Sequence, residues 1–160
     1  LHLAVRRQRQ MCIRDSSENA ETVIQCFDPE TLKRFAHDGI FKGPLVQLIH
    51  TESITNWRGD FEAMHTMSGL REVATYAHGI GPDVNLLENM MGGPSELVVA
   101  AKKLGLFLHP YTLRADSESI PGVNFETLHK KLFNDLEVDG AFTDFADQTR
   151  ELLVHMGKIS

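Results

Sequence analysis

The sequence has little cysteine, little positive charge and no long apolar run. Two cysteines, Cys12 and Cys26, cannot staple a disulfide scaffold and say little about redox compartment. The longest apolar run, Leu97–Ala101, falls far short of the ~20 residues that span a bilayer. Sixteen Lys and Arg face 22 Asp and Glu, a net charge of −6, which argues against a general binder of nucleic acid or anionic membrane. No G-x-G-x-x-G and no G-x-x-x-x-G-K-[ST] follows the first apolar segment, and Gly79–Gly81 and Gly92-Gly93 are too sparse to make a nucleotide loop. What is present is ordinary globular composition: 42% hydrophobic, 24% charged, 12 Gly and 6 Pro in 160 residues. That excludes collagen, low complexity and wholesale disorder, and the length suits one domain.

The charge is unevenly spread. Residues 1–15 hold Arg6, Arg7, Arg9 and Arg14 against Asp15 alone, a net of +3 that leaves −9 on the other 145 residues. A targeting segment would need an apolar stretch of ~7–15 residues after the arginines, and none follows. A nucleic-acid arm would carry aromatics for stacking, and there are none. Arg6–Ser16, RRQRQMCIRDS, resembles translated sequencing-adapter read-through. Residues 1–16 are therefore expected to be a non-native tail, with the native sequence starting near Ser17.

From residue 22 a rhythm appears. Thr22–Phe27 is short, apolar and partly β-branched, and predicts a strand. Asp28-Pro29 is a cap and first turn, and Glu30–His37 predicts a helix stopped by Asp38-Gly39. Leu45–His50 predicts a second strand. Thr51–Thr66, with Trp57, reads as a long loop or lid. Ser68–Tyr76 predicts a helix and His78–Pro82 a third strand. Ser95 caps a helix to Leu104, stopped by Gly105. Leu106–Thr112 predicts a fourth strand, Asn124 caps a helix over Phe125–Leu136, Gly140–Asp144 a fifth strand, and Ala146–Gly157 the last helix.

Strands alternating with helices in units of ~25–30 residues describe parallel βα architecture. Two folds compete. A doubly wound open sheet is complete with five strands. A (β/α)8 barrel needs eight strands and ~250 residues. Length alone favours the open sheet. In both, function lies at the C-terminal ends of the strands. Those ends carry Gln25 and Asp28, His50 and Glu52, Asp83, His109, Tyr111 and Arg114, and Asp144. Such a set can bind an anion and move protons.

Each has a plain reading too. Asp28, Asp83 and Asp144 suit helix caps or turns. His109 suits a core position, and Arg114, His50 and Glu52 a surface loop. His65, after Asp60 and Glu62, makes no defensible metal spacing and suits a solvated loop.

The last two strands say more. His109–Asp116, HPYTLRAD, and Val138–Asp147, VDGAFTDFAD, resemble the closing strand motifs of glycerophosphodiester phosphodiesterases. Val23–Phe35, VIQCFDPETLKRF, is similar to the family's Q-[CS]-F strand and helix. Leu45–Ile49 and Ala77–Asp83, AHGIGPD, resemble the next two strands. The resemblance runs from about residue 22 to 155, closest to the longer branch that carries H-P-Y-T. It departs at Phe145–Asp147, FAD, where F-P-D is common.

The resemblance implies an α/β fold: an incomplete (β/α)8 TIM barrel, about the last five βα units, with 17–160 as the C-terminal fragment of the domain. It implies a hydrolase that releases glycerol 3-phosphate and an alcohol such as choline or ethanolamine, in glycerol and phospholipid metabolism. The family's H-R-G histidine, E-x-D pair, later glutamate and second histidine use a divalent metal, often calcium. No H-R-G occurs, Ser117–Ser119 is S-E-S, and Asp60-Phe61-Glu62 has the acids reversed. No catalytic or metal residue is therefore expected here, and the metal belongs to the intact parent. One pocket wall is expected instead: Gln25, Phe27, His109, Tyr111, Arg114 and Asp144, with Tyr111 against the glycerol and Arg114 meeting phosphate if turned inward. The expected partner is a small glycerophosphodiester, without nucleic acid or a membrane span. Open sheet edges invite self-association, and a non-catalytic half-barrel for binding or assembly is the alternative. Periplasmic or secreted placement is common in the longer branch, and these residues do not fix it.

Overall fold

The structure, a computed structural model, describes residues 22–39, 41–52 and 59–160. The expected tail at 1–16 and Trp57 lie outside them. Strands β1 (Ile24–Cys26), β2 (Leu45–Ile49), β3 (Gly79–Pro82) and β4 (Phe107–Leu108) form one sheet in the order β1-β2-β3-β4. Every pair is parallel, with Gln25 opposite Val46, Gln47 opposite Ile80, and Ile80 opposite Leu108. Parallel neighbours need crossovers, and each connection here carries helix.

Local chemistry sets the helix ends. The Asp28 carboxylate accepts from the Glu30 amide and starts α1 (Pro29–Asp38), and Gly39 ends it at φ 61°. Ser95 caps α4 (Glu96–Leu104), and Gly105 closes it at φ 71°, a left-handed turn that costs glycine little. Asn124 caps α5 (Phe125–Lys130). The last helix, α6, spans Ala146–His155.

Five expectations change. The loop expected at 51–66 contains α2 (Phe61–Met64), because Asp60 caps it through the Ala63 amide and Phe61 and Met64 are buried. The next helix, α3 (Met67–Val73), starts earlier than expected because Thr66 accepts from the Gly69 amide. The helix expected over Phe125–Leu136 widens into a π turn at Lys131–Asp135. The fourth strand shrinks to two residues, since Pro110 has no amide to donate. The fifth expected strand keeps its place without a regular ladder. Leu113 bridges Thr143 in parallel, the Phe142 amide donates to Pro110 O, and the Asp139 and Gly140 amides both converge on Leu108 O.

The sheet's two faces differ. Leu45, Ile49, Ile80 and Leu108 join the core under the helices, with Leu32, Leu70, Val98 and Leu128. By strand alternation, Gln25, Val46, Leu48, Phe107 and His109 face the other way. Gly79 and Gly81 lie on that second face too. A Cβ at Gly79 would strike the Phe107 ring at 2.4 Å, and one at Gly81 would meet Leu48 at 2.6 Å.

Candidate functional site

The strand C-termini gather two groups of side chains. The first is aromatic. Phe27, just beyond β1, stands edge-on to Tyr111 (5.6 Å, 87°) and to Phe61 (6.1 Å, 79°). The Tyr111 hydroxyl donates to Ile49 O at 3.1 Å, which ties the segment after β4 to the end of β2. Its backbone bridges Asp83, and burial, with the Asp83 charge, pushes the phenol pKa up. The hydroxyl therefore stays protonated and acts as a donor. Phe61 was not singled out from the sequence. Its signal was an apolar residue directly after a capping Asp60.

The second group is ionic. Arg114 Nε and Nη2 donate to both oxygens of Asp116, at 2.9 and 2.7 Å, and Nη1 donates to Asp144 at 2.6 Å. Arg114 holds the Asp116 carboxyl below its ordinary pKa. Three of the Arg114 donors thus serve carboxylates, and the trio carries a net −1; a phosphate, the ligand expected for Arg114, would have to compete with them. Asp144 does not cap α6 either, because its carboxylate is drawn to Arg114. Below the trio, Ser119 Oγ accepts from the Arg114 amide and donates to Thr112 O, so the loop folds back on its own strand.

His109 sits on the sheet face turned away from the helices, its ring 4.7 Å from Phe107 and 5.9 Å from Phe142. Burial lowers its pKa, partly offset by Asp139, so the ring is neutral near pH 7. A Cβ on Gly140 would meet His109 Nε2 at 2.7 Å. With aromatic rings on both sides, His109 has little room to yield. Gly140→Ala is expected to cost about 1–3 kcal/mol as an overpacked contact. Thermal melts, with the His109 ring resonances followed by NMR, would show it; an unshifted ring and unchanged melting would refute the contact.

Gln25 is exposed on β1. Two further strand-end carboxylates, Asp28 and Asp83, are committed. Asp28 caps α1 and accepts from Thr31 Oγ1 at 2.8 Å, and Asp83 accepts from both nitrogens of Asn85. His50 Nδ1 accepts from the Glu52 amide, while His65 Nε2 reaches His50 O at 3.1 Å. Among the described residues, no group of three His, Cys, Asp or Glu side chains converges as a metal would require. One E-x-D does occur, at Glu137–Asp139, and the sequence reading passed over it. It precedes the fifth segment, at the opposite end from the site. Glu137 pairs with Lys102, and Asp139 accepts from the Leu108 amide at 2.8 Å. Among the described residues, these side chains do not fit a divalent metal.

Comparison with known proteins agrees with the motifs. Glycerophosphodiester phosphodiesterase from Bacillus subtilis (strain 168) is 29% identical over 140 residues, covering 88% of this chain and 39% of that protein. The protein of the same name from Haemophilus influenzae (strain ATCC 51907 / DSM 11121 / KW20 / Rd) is 26% identical over 150 residues, covering 81% of this chain and 41% of its own. The chain thus spans about two fifths of the length of these relatives. The sequence model of the glycerophosphoryl diester phosphodiesterase family matches residues 3–148, a stretch that takes in the arginines at 6–14. The parallel sheet suits that family's TIM barrel, and on this match the chain belongs to the glycerophosphoryl diester phosphodiesterase family.

Proposed function

We propose that this chain forms the last five βα units of a (β/α)8 barrel and supplies one wall of a phosphodiesterase pocket. The intact protein would cleave a glycerophosphodiester to glycerol 3-phosphate and an alcohol. The observation that carries this reading is the family match along parallel strands whose C-terminal ends hold Phe27, Tyr111, Arg114 and Asp144.

Phe27 and Tyr111 offer ring surface to the CH groups of a glycerol unit. Arg114 fixes the loop after β4 by gripping Asp116 and Asp144, and a phosphate would engage it by displacing one carboxylate. Gln25 and His109 complete the wall. The residues that would hold the divalent metal, calcium by resemblance, and the two acid–base histidines would lie outside this set.

The chain by itself is therefore expected to be inactive. Purified protein incubated with glycerophosphocholine and calcium should release no glycerol 3-phosphate above the protein-free control. Calcium-dependent release would overturn the reading. A second reading, a non-catalytic half-barrel that assembles with another chain, draws on β1 lying at the edge of the sheet with Gln25 exposed. Here size-exclusion chromatography discriminates: a stable monomer or a defined dimer would favour this reading, and open-ended oligomers formed through the sheet edges would count against it.

A further inference from the structure

We propose that the outer face of α4 is a two-fold contact surface for a second copy of this chain. This inference does not depend on the catalytic reading. Its inner stripe, Leu97, Val98, Ala100 and Ala101, is buried. On its outer side Val99 is 39% exposed, between Glu96 and Lys103. Positions 96, 99 and 103 recur at helical spacing, so the three lie on one stripe.

Glu96 and Lys103 are seven residues apart, about 10 Å along the axis, and too distant to pair with each other. Neither has an ion partner among the described residues, whereas the adjacent Lys102 is paired with Glu137. Beside the stripe runs a groove of about 410 Å³, lined by Met67, Pro94, Val99 and Ala100 with Glu96 and Lys103 in its wall.

The loop before α4 adds apolar surface. Met90 and Met91 are fully exposed. Asn89 fixes the loop that carries them: its Oδ1 accepts from the Met91 and Gly93 amides, its Nδ2 donates to Pro94 O, and its backbone amide donates to Gly93 O. Two methionines held in water by an ordered turn form a patch suited to being covered, and methionine adapts to the surface that covers it.

The charge pattern selects the occupant. In a two-fold contact, residue i meets j and j meets i. If two α4 helices cross antiparallel, centred between Val99 and Ala100, Glu96 of each copy meets Lys103 of the other. Two ion pairs then bracket apolar contact, with each Val99 entering the other copy's groove. A parallel crossing would set Glu96 against Glu96 and Lys103 against Lys103, which repel. The surface is self-complementary in one orientation only.

Sedimentation equilibrium over a concentration series should show a reversible monomer–dimer equilibrium that weakens with salt. Glu96→Lys and Lys103→Glu, each alone, should weaken it by about tenfold or more, because like charges then face each other twice. The double variant E96K/K103E should return to near the starting affinity. Mixing the two single variants should give a heterodimer, one copy contributing two cations and the other two anions. That measurement stays informative if a single variant loses some helix stability. A monomer at every concentration would overturn the proposal. So would a dimer indifferent to both single changes, or a double variant that fails to recover.

Discussion

Gln47→Leu is expected to lower folding stability by about 2–4 kcal/mol, because it strands several buried polar groups at once. Gln47 lies in the middle of β2 and is fully buried, one of few polar side chains so placed among the described residues. Its amide nitrogen reaches Leu48 O at 2.9 Å, Phe27 O at 3.0 Å and Cys26 O at 3.3 Å. Carbonyls only accept, so the NH2 must face them. That leaves its oxygen for the Tyr76 hydroxyl, which donates at 2.9 Å. Tyr76 is itself buried beside the end of α3, and burial pushes its pKa up, so the hydroxyl remains a donor. One side chain therefore joins the end of β1, the centre of β2 and the turn after α3.

Leucine matches the volume of glutamine roughly but offers no hydrogen bond. The cost arises from partners left dry, and urea melts of the two proteins would measure it. Gln47→Glu is the sharper companion. It keeps the shape, yet sets a carboxylate against carbonyl oxygens. The folded state then favours the protonated acid and raises its pKa. Stability would be greatest below the unfolded value of about 4.3 and would fall as pH rises. A flat pH profile for this variant would refute the assigned network. The consequence reaches the site, because Gln47 holds the backbone carbonyl of Phe27, whose ring meets Tyr111.

The helix boundaries were largely legible because caps are local chemistry. Asp28, Ser95, Gly105 and Asn124 each do what their type and position predict. The succession of strands and helices was legible from alternating apolar segments; the side-by-side order of the strands was not, since two folds fitted that pattern, and it followed only from the family resemblance. The extent of the last two strands was not legible either. Leu106–Thr112 and Gly140–Asp144 are apolar enough for strands, but Pro110 interrupts the ladder, and two amides compete for Leu108 O. No periodicity encodes such a register defect. The short α2 escaped because four residues hold too little pattern; its cap at Asp60 was the only local trace.

Site residues divide in the same way. Phe27 and Tyr111 were marked by their places at strand ends, and the structure brings their rings together. Arg114 and Asp144 were marked too, but their pairing was not legible. A sequence shows charges, not which counter-charge the fold delivers, and here Asp116, two residues on, takes the guanidinium from one side. His109 was read both as a strand-end group and as a core residue, and it lies between Phe107 and Phe142. The E-x-D at Glu137–Asp139 shows the reverse case, a motif whose place in the fold removes its meaning.

His129 gives the second large effect, a stability that declines as the solution is acidified. It is fully buried, the only histidine so placed among the described residues. Nδ1 lies 2.7 Å from Phe125 O, so it carries the proton, and Nε2 faces Thr149 Oγ1 of α6 at 3.1 Å. Thr149 Oγ1 is 3.2 Å from Thr143 Oγ1, which in turn donates to Leu113 O. The rings of Phe125 and Phe133 flank the imidazole. Burial lowers its pKa below 6.5, with the Phe125 carbonyl offsetting part of the shift. The unfolded chain therefore binds this proton first. The stabilisation is fully present above about pH 6.5 and is lost as pH falls toward the folded pKa. His129→Leu should cost about 1–3 kcal/mol at pH 7.5, since Phe125 O and Thr149 lose their partner. At pH 5.5 the gap between the two proteins should narrow, because the wild type alone then suffers the buried imidazole's reluctance to be protonated. His109 shifts in the same direction but is present in both proteins, so it cancels in the difference. Denaturant melts at the two pH values decide the matter. A gap that stays constant or widens on acidification would mean that His129 is not held neutral in the fold, and that the contact between α5 and α6 does not rest on it.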